Sequence, residues 1–344
     1  MTVKETNGVR KLCVDEIYIY AETAFSHEGD IAYLYQLAER AKKAGSNAIK
    51  FQLMLNPEES YVPEVIAQSE CFNWYFEKEQ WIKLLKYIKF EKKLDVVLLP
   101  VDMCAMEFCM THQELYDMIE VHSINFNHYM MLRQMDKLDK VIILGIGGRT
   151  LADIEYALQK LPRAYSEKRI LLMHGFQSFP TKKENAKLGR IAKYRALFGL
   201  EVGYADHTSY KEDDIPLFQF AYLNGSRFFE KHIVLEEGKE RTDYQAAKEA
   251  GHLLEIKRAL KTVADIQGND SVWELASAET EYRKREKKVV AIKDIVPNEI
   301  LTEKNLGYKV TNQMSAYEQK DLEKLLGKCS VGITEKDSTD ILPR

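Results

Sequence analysis

Short runs of apolar and β-branched residues recur along this chain, separated by longer stretches with helical spacing. The runs that read as strands are 17–22 (YIYAET), 47–52 (NAIKFQ), 95–100 (DVVLLP), 118–125 (MIEVHSIN), 140–146 (KVIILGI), 169–175 (RILLMHG), 201–207 (EVGYADH) and 228–234 (FFEKHIV). Each precedes an amphipathic stretch, such as DIAYLYQLAERAKKAG after the first and TLADIEYALQKL after the fifth. Strands alternating with helices build right-handed βαβ units and a parallel sheet. Eight such units ending near residue 268 predict an α/β fold, a closed (β/α)8 TIM barrel rather than an open doubly wound sheet.

Past the last long helix the pattern changes. The stretch ASAETEYRKREKK is charged and poor in apolar residues, and 279–288 reads as a linker between a barrel domain, 1–278, and a small second domain, 289–344. That second domain has short runs (VVAIKDI, EILTEKN, SVGITEKD) with turns at Pro297-Asn298 and Gly327, and its size suits a cap or a pairing module.

Composition narrows the classes. A chain of 344 residues with 45% hydrophobic content, 17 Gly and 8 Pro buries a core and is neither disordered nor collagen-like. A net charge of −4 supplies no basic field for a phosphate backbone, which argues against nucleic acid as a partner. The start, MTVKETNGVRKL, lacks the apolar stretch of a secretory signal, and no apolar run approaches the ~18 residues that cross a bilayer. A cytoplasmic protein without membrane contact is expected. The five cysteines (Cys13, Cys71, Cys104, Cys109, Cys329) are scattered and form no C-x-x-C pair, so reduced structural thiols are expected.

In parallel barrels the reactive groups sit at the C-terminal strand ends and in the loops that follow. Glu22 ends the first run, and Lys50 and Gln52 end the second on one face, because side chains repeat every second residue. His174 nears the end of the sixth run, Asp206 and His207 close the seventh, and Glu230 and His232 share a face of the eighth. Any one of these could merely hydrogen-bond a neighbour, and Lys50 with Glu22 or Glu230 could form a plain buried ion pair. Their recurrence at several strand ends favours chemistry. His207 and His232, on neighbouring strands, could share one divalent ion with coordination positions left for water and substrate. Lys50 could neutralise an anionic group, while Glu22 and Glu230 could act as acid, base or support for the metal. The GIGGR segment at 145–149 offers flexible backbone N–H groups and a guanidinium for an anion, although its glycines could serve only the turn. His112, His122 and His252 fall at uninformative positions.

These residues carry a resemblance. AETAFSHEGD at 21–30, AIKFQ at 48–52, HGFQSFPT at 174–181, VGYADHT at 202–208 and EKHIVL at 230–235 resemble, in the same order, the sialic acid synthases that make N-acetylneuraminic, legionaminic and pseudaminic acids. The end of the chain is similar to that family's antifreeze-like (SAF, β-clip) domain. The resemblance implies condensation of phosphoenolpyruvate with an open-chain amino sugar to a nine-carbon 3-deoxy-ulosonic acid. It implies a divalent metal, Mn2+ with Mg2+ or Co2+ as alternatives, on His207 and His232. Glu22, Lys50, Asp206 and Glu230 would be catalytic, and Gln52, His27, Arg149, Gln177 and Asp243 would bind substrate. It also implies a homodimer in which each SAF domain covers the partner's barrel mouth, with 279–288 crossing between subunits.

The chain departs from the family pattern as well. Where the family has K-I-x-S-G-E after the fourth strand, Ser123-Ile124-Asn125-Phe126-Asn127-His128 stand. S-T-G-M becomes Gly145-Ile146-Gly147-Gly148, the asparagine after the sixth strand becomes Gln177, and the antifreeze-like domain's arginine becomes Val310, beside Lys309. Arg149, His128 or Lys182 could compensate around the phosphate. Two other readings stay open: a divergent barrel enzyme using another carboxylated donor or an aldol-type cleavage, and a non-catalytic sugar-binding relative.

Overall fold

The computed structural model describes residues 4–6, 9–11, 16–178, 180–268 and 274–344. Cys13, Phe179 and the Cys71 side chain lie outside the described residues; Cys104, Cys109 and Cys329 are free thiols. By its internal contacts the chain divides into two units, 1–268 and 269–344.

The first unit alternates eight strands with eight main helices. They are β1 (Tyr18–Glu22), α1 (Ile31–Lys43), β2 (Ala48–Leu53), α2 (Lys78–Lys86), β3 (Asp95–Pro100), α3 (Met103–Thr111), β4 (Met118–Val121) and α4 (Tyr129–Met135). Then come β5 (Val141–Gly145), α5 (Leu151–Lys160), β6 (Ile170–Gly175), α6 (Arg190–Phe198), β7 (Glu201–Asp206), α7 (Ile215–Leu223), β8 (Phe228–Val234) and α8 (His252–Gln267). All neighbouring strands pair in parallel, and β8 pairs with both β7 and β1, which closes the barrel. The fourth strand is shorter than its apolar run: at His122 the chain turns into a 3-10 segment (Ser123–Asn125), with His122 Nδ1 accepting from the Ile124 N–H at 3.2 Å.

Strand pleating sorts the side chains into two cores. Tyr18, Tyr20, Val97, Met118, Ile143 and Phe228 fill the barrel interior. The alternate residues face outward, where Leu34, Leu37, Ala38 and Ala41 of α1, spaced for one helical face, pack against strand residues such as Ile19 and Ile49. Burying each such Leu contributes about 1.5–3 kcal/mol. Asp30 starts α1 by accepting the Ala32 N–H at 2.9 Å. Gly203 on β7 makes room inside the barrel, since a Cβ there would come within 2.7 Å of the Met173 side chain.

The second unit has a short helix, Ser277–Arg283, within the stretch that reads as a linker. An antiparallel strand pair, β9 (Lys288–Ala291) with β10 (Leu306–Lys309), and isolated bridges such as Ile295 to Thr334 surround a small core of Val289, Ala291, Ile295, Leu301, Leu306 and Leu325. Among the described residues no helix is long and apolar enough to cross a membrane.

Candidate active site

The inward-facing positions of the strands turn polar at the C-terminal end of the barrel. Register places Glu22 beside both Lys50 and His232, and Glu230 beside Ala205. With Glu120 from β4 and His207 just past β7, they line a cavity of about 380 Å³.

Lys50 is the hub. Its Nζ lies 2.9 Å from Glu22 Oε2, 3.0 Å from Glu120 Oε2 and 2.9 Å from Glu230 Oε2, and all four side chains are nearly shut off from solvent. Burial works against the lysine charge, but Glu120 and Glu230 outweigh it and hold its pKa above the ordinary lysine value. Burial pushes the Glu120 carboxyl up to about 7, with Lys50 pulling it down and Glu230 pushing it further up. Glu22 Oε1 accepts from the Ala24 N–H at 2.9 Å and from Gln52 Nε2 at 3.3 Å, which fixes that carboxylate from two sides. Among the described residues lining the cavity, Lys50 is the one lysine or arginine, against Glu22, Glu120, Glu230 and Asp243.

The two histidines lie next to this hub. Their ring centroids are 5.0 Å apart, and one donor atom each from His207, Glu230 and His232 falls within 4.8 Å of the others. Burial lowers both histidine pKa values, that of His232 well below the ordinary value with His207 adding to the effect, so both rings are neutral at neutral pH. The Nδ1 atoms of both are buried without a hydrogen-bond partner. Two neutral imidazoles with idle nitrogens beside a carboxylate form a donor set that fits one divalent cation.

Of the other expected residues, Gln52, Gln177 and Asp243 line the cavity. Asp243 adopts a left-handed conformation (φ 64°), and burial raises its carboxyl pKa. Its loop is clamped by Glu28, which accepts from the Thr242 N–H at 2.8 Å and pairs with Arg241 at 3.2 Å. The HEGD segment is thereby spent on structure. Glu28 ties two loops, Asp30 caps α1, and His27 packs against Phe25 and Phe76, its Nδ1 accepting from the Gly29 N–H at 3.1 Å.

His27 does not line the cavity, and neither do Arg149 and Asp206. Arg149 donates to the Ser123 carbonyl and stacks over the Phe126 ring at 5.1 Å. Gly147 serves close approach, because a Cβ there would come within 2.3 Å of the Gly175 carbonyl oxygen, and Gly148 serves the turn with φ 71°. Asp206 neighbours the inward-facing Ala205, so it faces outward: it pairs with Lys231 at 2.5 Å and accepts from Tyr204 Oη and Thr208 Oγ1, both at 2.7 Å. Lys231 also pairs with Asp214 at 3.0 Å, and Asp214 accepts His252 Nε2 at 2.6 Å. His128 is used as the cap of α4, accepting the Met131 N–H at 3.2 Å, and Lys182 is exposed outside the cavity lining.

Two cavity residues with an imidazole or carboxyl side chain escaped the sequence reading. His122, placed at an uninformative position, lines the cavity, and burial lowers its pKa to about 4. Glu120 was passed over inside the run MIEV, where a lone acid at an inward position was the available signal.

Similarity to known proteins extends over most of the chain. Residues 37–271 match the model of the NeuB family. N,N'-diacetyllegionaminic acid synthase of Campylobacter jejuni is 25% identical over 333 residues, covering 93% of this chain and 97% of that protein. An uncharacterized protein of Methanocaldococcus jannaschii is 24% identical over 298 residues, covering 85% of this chain and 84% of its own. The crystal structure of a spore coat polysaccharide biosynthesis protein E from Chromobacterium violaceum superposes with a TM-score of 0.82 at 18% identity, covering 95% of this chain and 98% of that one.

Proposed function

Because the chain belongs to the NeuB family, we propose that it condenses phosphoenolpyruvate with an open-chain amino sugar to give a sialic-acid-like nine-carbon 3-deoxy-ulosonic acid. The observation that carries this reading is the Lys50 hub of three carboxylates placed beside the paired His207 and His232 in the barrel mouth. His207 and His232, with Glu230 alongside, would hold a divalent cation such as Mn2+, which supplies Lewis-acid polarisation of a sugar aldehyde.

In this reaction carbon 3 of the enol attacks the aldehyde carbon, the aldehyde oxygen takes a proton, water adds at carbon 2 and phosphate leaves. Glu22 and Glu230 are the carboxylates at hand to move those protons, each 2.9 Å from the Lys50 ammonium. Gln52 orients the donor's carboxylate beside the Lys50 ammonium, and Asp243 and Gln177 meet sugar hydroxyls from the loops.

The C-terminal unit is read as an antifreeze-like domain exchanged within a homodimer, and the protein as acting in the cytoplasm. The similarity of the legionaminic acid synthase over 93% of the chain supports the full-length likeness on which the dimer rests. Incubation with Mn2+, phosphoenolpyruvate and a panel of six-carbon amino sugars tests the activity. Phosphate release that requires both the sugar and the metal is expected; release without sugar, or none across the panel, would overturn it.

A further inference from the structure

The cavity's charge is unevenly distributed. On the β1, β4 and β8 sides it presents Glu22, Glu120 and Glu230, whose one shared cation is already held at 2.9–3.0 Å by all three. Glu120 differs from its neighbours in geometry. Its Oε2 is bound to Lys50, while its Oε1 lies next to Gly145 on the adjacent β5. A Cβ at Gly145 would stand 3.7 Å from that oxygen, so the missing side chain leaves a gap in front of it. His122 and Ser123 continue the same wall, and the cations nearest in sequence are otherwise engaged: Arg149 on the Ser123 carbonyl, and Lys182 exposed outside the lining.

A carboxylate oxygen facing a gap accepts hydrogen bonds from hydroxyl or ammonium groups and repels a phosphate dianion. We infer that Glu120 and Gly145 form the subsite for hydrogen-bond donors of the acceptor sugar, its hydroxyl or unacylated amino group, and that they exclude the phosphate of the donor from this wall. Glu120 is thereby a specificity-determining residue. This assignment rests on the condensation reading for the identity of the two substrates.

The test is isothermal titration of the Mn2+-loaded full chain with phosphoenolpyruvate and, separately, with mannosamine, glucosamine and their N-acetyl forms. Glu120→Gln keeps the shape and removes the charge. It is expected to weaken the best-bound sugar roughly tenfold or more, as loss of a charged hydrogen bond does, while phosphoenolpyruvate binds equally or more tightly. Gly145→Ala leaves every charge in place and meets only ordinary contacts; it is expected to weaken the sugar and leave phosphoenolpyruvate unchanged. Equal weakening of both ligands by Glu120→Gln, or sugar affinity unchanged in both variants, would overturn the assignment. Wild-type protein that binds sugar yet releases no phosphate refutes the condensation reading, and the same sugar titrations then still decide the role of Glu120.

Discussion

Replacing Lys50 by Met keeps an unbranched stem in the barrel and removes the one charge shared by three buried carboxylates. Breaking a buried ion pair by deleting one partner costs about 3–5 kcal/mol, because the charge left behind has lost its compensation and stays out of water. At roughly 2.1 cal/mol/K of unfolding entropy per residue, the 268-residue barrel unit loses about 0.6 kcal/mol per degree near its midpoint, so Lys50→Met should lower Tm by about 5–9 °C at pH 8. The sign with pH follows from the carboxyls. Burial already holds the Glu120 carboxyl at about 7 against an ordinary value of about 4.3, and without Lys50 it rises further, so the gap between variant and wild type opens as pH climbs through about 7 and closes below it. Thermal melts of wild type and variant at pH 8 and pH 5 measure this, and the gap at pH 5 should be less than half that at pH 8. A loss under about 2 °C at pH 8, or equal losses at both pH values, would refute the idea that Lys50 offsets the charge buried around it.

Other positions give sharper separations between structure and chemistry. Asp206→Asn disrupts the outward Lys231 cluster and should lower stability by about 3 kcal/mol while both KM values stay within about twofold; a collapse of kcat in a protein of wild-type stability would place Asp206 in the reaction after all. Burial lowers the His27 pKa to about 4 against an ordinary 6.5, so its contribution to stability is complete above 6.5 and is lost as pH falls towards 4, by up to about 3 kcal/mol. Denaturant midpoints between pH 7 and 4 should therefore fall less steeply for His27→Gln than for wild type, and parallel curves would contradict this. Glu28→Ala frees the loop that carries Asp243 and should raise the sugar KM by about tenfold with little change in the KM for phosphoenolpyruvate.

Much of this architecture is legible in the sequence because each barrel strand is a short apolar run bounded by helix-period segments, and burial on both faces leaves few other ways to read such runs. The fourth run misleads at its end: His122 and Ser123 continue the β-like composition, but a side-chain acceptor at His122 starts a turn there. The site is legible where strand parity decides it, at Glu22, Lys50, Gln52, Glu230 and His232. Parity applied strictly also separates Glu230 and His232 from Lys231, and Asp206 from Ala205 and His207. What parity leaves open is the loops. Nothing local in HEGD tells that Glu28 clamps a segment more than two hundred residues away, or that Arg149 spends its guanidinium on a backbone carbonyl.

The most direct measurement follows the carbon atoms. With carbon-13 at position 3 of phosphoenolpyruvate, Mn2+ and an amino sugar that supports phosphate release, NMR and mass spectrometry of the product should show the label in a methylene carbon of a 3-deoxy-ulosonic acid, bonded to the former aldehyde carbon. Label recovered only in free pyruvate, with the sugar unchanged, would contradict the condensation.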